Sequence, residues 1–136
     1  MSSTNAQPSD RALTLLGAGS AVMQTVAFTA VGVLSLESIP YGVVAGGFGG
    51  VGAFLFLPWF LGLTAAQEAG DAGLGAAAER VSRSTGPGML GLGFELGAIT
   101  VLALGFVTGP DLLLGAASGL VVAVAVYLVG SFVIGR

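Results

Sequence analysis

Three stretches of the chain, residues 12–36, 38–67 and 112–135, carry no charged side chain, and a fourth, 86–110, carries only Glu95. Each exceeds the roughly 20 helical residues needed to cross a lipid bilayer. Backbone N–H and C=O groups in hydrocarbon must find partners within their own segment, so runs of this length are expected to be helices rather than strands. The expected spans are residues 12–34, 42–64, 89–107 and 112–134, an all-α four-helix transmembrane bundle. Composition agrees. Only 8% of the 136 residues are charged, against about 25% in a soluble domain. So few charges cannot cover a water-facing surface, and the expected solvent over most of the chain is lipid.

One membrane domain, 12–136, is expected after a small, polar, disordered tail, 1–11. The first run is read as a retained helix rather than a signal peptide. Its flank MSSTNAQPSDR is not cationic, and three further runs follow. The connections are SLESIPYG (35–42), TGPD (108–111) and one long loop, 65–88. Pro40 suits a helix start, and Asp111 is placed to cap the fourth helix. In the long loop, Leu74, Ala78 and Val81 recur at helical spacing, which predicts a short interfacial helix ending near Arg83.

Orientation follows from arginine. The four cations are Arg11, Arg80, Arg83 and Arg136. Four spans put all of them on one side, leaving Glu37 and Asp111 on the other. The positive-inside rule then predicts a multi-pass protein of the cell membrane with both termini and the long loop in the cytoplasm. Trp59 and Phe60 would sit near the inner interface, Tyr41 near the outer one.

The chain has no cysteine, histidine or lysine and a net charge of −3. That removes thiolate and imidazole metal sites, disulfides and His-based catalysis. It also leaves no basic patch for nucleic acid. No cofactor is expected, and no nucleophile–base pair is visible that would make this an enzyme.

Glycine supplies 24 residues. Gly42, Gly46 and Gly50 form a ridge on the second span, with Gly93 and Gly97 on the third and Gly115 and Gly119 on the fourth. Lipid gives helices no hydrophobic reason to associate, so small residues four apart are expected to seat neighbouring helices at close range. The second span carries the most and is the expected central helix, or a contact with another subunit. Gly47, Gly49 and Gly52 spell GxGxxG, but a dinucleotide loop needs a preceding strand, and this one lies inside a span. LGAG (16–19) and LGLG (90–93) open the first and third spans, a faint sign of two related hairpins.

Glu95 is the chemical anomaly. With the third helix starting at 89, it lies roughly 10 Å from the helix start. A carboxylate at the centre of a span costs on the order of 3 kcal/mol to insert. Its small neighbours Gly88, Gly91 and Ala98 predict that it points into the bundle. Tyr127 and Ser20 count to the same depth, as do Pro58 and Trp59, with Gln24 a turn deeper. Pro58 frees the Phe54 carbonyl, a possible acceptor for a protonated Glu95. The candidate polar site is therefore Glu95, Tyr127, Ser20 and Gln24. It reads as an interhelical hydrogen bond, as a proton or cation site, or as a station for a partner's Arg or Lys.

Two small-protein types are tested on these residues. The four-helix multidrug exporters carry a carboxylate in the first span, which is absent here. The four-helix fluoride channels carry arginine and polar-track motifs, also absent. Four spans, no Lys, Cys or His and an acidic flank together resemble the small uncharacterised four-helix integral membrane proteins of haloarchaea. That resemblance rests on composition and topology and implies no site or activity. The expected function is a non-enzymatic accessory or scaffold subunit, in a homo-oligomer or larger membrane complex within the lipid bilayer. The alternative is a small transporter or channel subunit using Glu95.

Overall fold

Ser9 opens the first helix: its Oγ accepts from Ala12 N at 3.2 Å, satisfying one of the N–H groups a helix start leaves unpaired. The computed structural model describes residues 9–70 and 82–134, and these are all-helical. The helices are α1, Asp10–Leu36; α2, Ile39–Gly70; α3, Ser82–Thr108; and α4, Leu112–Ile134. All four are long and apolar enough to cross a membrane.

α1, α2 and α3 all overrun their expected spans at both ends, and three of these shifts have a local cause. The cap at Ser9 starts α1 inside the expected tail; residues 1–8 lie outside the described residues. α2 runs to Gly70 rather than 64, because Thr64–Ala69 is mostly strong helix formers and no breaker intervenes. α3 begins at Ser82 rather than 89 and takes Pro87 into its second turn. Lacking an N–H, Pro87 leaves the residue 83 carbonyl without its usual intrahelical donor, a loss confined to the helix's N-terminal end. The interfacial helix expected around Leu74–Val81 falls outside the described residues.

Both short turns are built from caps. Glu37 closes α1 in the left-handed region at φ 53°, the one non-glycine positive φ among the described residues. Ser38 then caps α2 through Tyr41 N, at 3.4 Å. Gly109, at φ 86°, closes α3, and Asp111 Oδ1 accepts from Leu114 N at 2.9 Å to start α4. Asp111→Ala should therefore lower stability by about 1 kcal/mol. Thermal unfolding in detergent reads this as a lower midpoint, with Asp111→Asn recovering most of it.

Each helix packs along its chain neighbour: α1 on α2, α2 on α3, α3 on α4. α1 reaches α3, and α4 reaches α2, only along short stretches, and the described residues of α1 and α4 do not meet. Two hairpins are thus joined through the central pair α2–α3. In the most apolar window of each helix, 39% of residues are buried in α2 and in α3, 17% in α4 and 6% in α1.

Glycine positions explain how close the helices come. The ridge Gly42, Gly46 and Gly50 faces α1. A methyl group on Gly46 would lie 2.0 Å from Thr29 Oγ1, and one on Gly42 2.6 Å from the Thr29 carbonyl oxygen. Gly93 and Gly97 meet the carbonyls of Ala123 and Gly119 on α4. Gly115 and Gly119 accept the rings of Tyr41 and Phe48 from α2. The GxGxxG residues all lie within α2: Gly47 is exposed, Gly49 is buried against the Phe28 ring of α1, and Gly52 faces Glu95.

Side-chain clusters occupy the two ends. At the end bearing both short turns, Tyr41, Ala45 and Val101 are buried, with Phe28, Leu36, Val44 and Leu102 around them. At the other end, Trp59, Leu63, Ala66 and Met89 form the core, with Phe56, Leu92, Tyr127 and Ile134 against it.

Candidate functional site

Glu95 stands between those clusters. With α3 beginning at Ser82, thirteen positions earlier, the carboxylate lies about 20 Å from the helix start rather than 10 Å. The expected start of the third helix was about two turns late.

Gly52 is its neighbour on α2. A methyl group there would lie 2.7 Å from Glu95 N and 2.9 Å from its Cγ. The missing side chain lets α3 press its backbone onto α2 and lets the Glu95 side chain reach past it to α1. There Gln24 Nε2 donates to Glu95 Oε1 at 3.2 Å. No other hydrogen bond reaches the carboxyl among the described residues. The pair links the first hairpin to the second across a helix that neither residue belongs to.

The structure brings together two of the four candidate residues. Ser20 is half-buried one turn from Gln24 on α1, and no hydrogen bond joins it to Glu95. Tyr127 packs against the Trp59–Met89 cluster instead of the carboxyl. Pro58 and Trp59 are likewise nearer that end. Pro58 Cγ lies 2.8 Å from a methyl group placed on Gly17, and Trp59 lies over Gly88. The Phe54 carbonyl freed by Pro58 is turned to Gly17 of α1, 3.2 Å from such a methyl, and not to Glu95. The Trp59 indole N–H is buried without an acceptor, and Gly88 is what makes room for its ring.

Tyr41 is the residue whose role the sequence misjudges. It is no interfacial anchor but 1% exposed, and its hydroxyl donates to the Val101 carbonyl. Gly105 of α3 and Gly115 of α4 flank the ring, so one side chain holds three helices. A signal existed: Tyr41, Gly105 and Gly115 all lie within one helical turn of the two short connections, which places a large ring and two vacancies at one depth.

Among the described residues no three His, Cys, Asp or Glu side chains come together as a metal site would require. The chemistry on offer is one carboxyl with one carboxamide donor. Comparison with protein-family models, with curated proteins and with solved structures finds no match. The class the fold defines is an all-helical protein with four helices suited to a bilayer, which suggests a multi-pass membrane protein.

Proposed function

We propose that the chain is a multi-pass integral membrane protein, with both termini and the 65–88 segment in the cytoplasm, acting as a non-enzymatic accessory or scaffold subunit. The observation supporting this is the uneven burial of its helices. α1 and α4 each rest on one main neighbour and leave most of their apolar surface outside. Surface of that kind serves contact with lipid and with other helices, where close fit holds membrane assemblies together. Orientation rests on the arginines, which an even number of spans collects on one side. Purification in mild detergent tests the reading. A particle larger than the 13.3 kDa chain with its detergent, or a co-purifying membrane protein, supports it; a monodisperse lone chain contradicts it.

One feature favours a second reading, a small transporter or channel subunit. Glu95 lies mid-helix with a neutral partner, and ionisable groups within membrane spans commonly mark ion pathways. Under that reading Glu95→Gln abolishes pH-dependent cation flux in reconstituted vesicles while the fold persists. Under the scaffold reading Glu95→Gln is mild, because an amide still accepts from Gln24. Glu95→Leu then loosens the link between α1 and α3 by about 1 kcal/mol, measured by thermal unfolding.

A further inference from the structure

We propose that the face of the bundle where Gln24 of α1 meets Glu95 of α3 is a docking site for a transmembrane helix of another protein carrying an arginine or lysine at mid-depth. The proposal rests on the accessory-subunit reading and names the partner's chemistry. Its first support is where Glu95 sits on its helix. Ala98, three positions on, is 0% exposed, and Gly91, four positions back, is buried. Ile99, four positions on, is 54% exposed, and Leu96 beside it is 40% exposed. Residues three and four apart share a helix face, so Glu95 stands on the rim where the buried face turns outward. Gln24 is half-buried as well.

The second support is charge. A carboxylate inside a membrane is costly unless it is paired, and the single donor it receives is a neutral amide. Arg11, the one arginine whose side chain is described, lies thirteen positions before Gln24 on α1, about 20 Å along the axis. Arg83 is twelve helical positions before Glu95, about 18 Å along α3. Neither of these two reaches the carboxyl at that separation, and a cation on another chain would complete the site. An arginine on a neighbouring helix would pair with the carboxylate while its helix lies against the outward faces of Leu96 and Ile99.

The test uses the full-length chain in lipid vesicles and three synthetic leucine–alanine transmembrane peptides with a central Arg, Leu or Glu. Energy transfer between labelled chain and labelled peptide reads association. The arginine peptide should bind about tenfold more tightly than the leucine peptide, and the glutamate peptide most weakly. Glu95→Gln should erase the arginine preference without changing helix content. Equal binding of the arginine and leucine peptides to the native chain would overturn the proposal without recourse to any variant. An arginine preference that survives in Glu95→Gln would overturn it too. A natural partner that co-purifies equally well with Glu95→Gln sinks the Glu95 face as the contact yet keeps the accessory reading. A lone monodisperse chain that still prefers the arginine peptide does the reverse.

Discussion

Gly46→Leu should detach α1 from α2. Its first carbon alone would fall 2.0 Å from Thr29 Oγ1 and 2.7 Å from the Thr25 carbonyl oxygen. The Thr29 rotamer can move, but the α1 backbone cannot yield without opening the interface. Overpacking of a tight contact usually costs 1–3 kcal/mol. Here α1 has no other extensive neighbour to hold it, so a loss of at least about 3 kcal/mol is expected. Gly47→Leu is the matched control. Position 47 is exposed, and a methyl there meets nothing within 4 Å, so that change should leave stability within about 0.5 kcal/mol. Thermal unfolding in detergent and spin-label distances between α1 and α2 check both. Equal behaviour of the two variants would refute a glycine-seated α1–α2 interface.

The second large effect belongs to Tyr41. Tyr41→Ala empties a site walled by α2, α3 and α4 and should cost about 3 kcal/mol. If lipid surrounds the bundle, as proposed, this loss is chiefly of dispersion contacts, because the apolar surface has no water to escape. Tyr41→Phe keeps the ring and gives up the bond to the Val101 carbonyl, so it should cost about 1 kcal/mol. The ordering is the useful part of the prediction. If Tyr41→Phe proves as damaging as Tyr41→Ala, the hydroxyl rather than the ring joins the hairpins.

Four helices were legible because charge is absent over lengths that only a bilayer demands, and Asp111 was legible because a cap is a local device. Helix ends inside the polar loop were not. No feature of Thr64–Ala69 or Ser82–Gly88 distinguishes helix in water from loop, and continuation there depends on propensity and neighbouring contacts. That uncertainty passed into the site. Counting from residue 89 matched Glu95 with Tyr127, Ser20 and Pro58, whereas packing brings it to Gly52 and Gln24. Gln24 was among the candidates because it is a polar side chain within a turn of the level counted for Glu95. Gly52 was not among the expected packing glycines because it stands outside the four-residue register of Gly42, Gly46 and Gly50. Tyr41 was misjudged because aromatic rings near span ends commonly sit at the interface. The two glycines that accept its ring belong to helices distant in sequence.

The account stands on lipid surrounding the four helices and on the two short turns lying opposite the long loop. The chain has no cysteine, so single-cysteine variants Glu37→Cys, Asp111→Cys and Arg80→Cys can be labelled without background in intact cells with a membrane-impermeant maleimide. Positions 37 and 111 should react at once, and position 80 only after the membrane is permeabilised. Labelling of positions 37 and 80 from the same side would contradict the topology and the cytoplasmic assignment that depends on it.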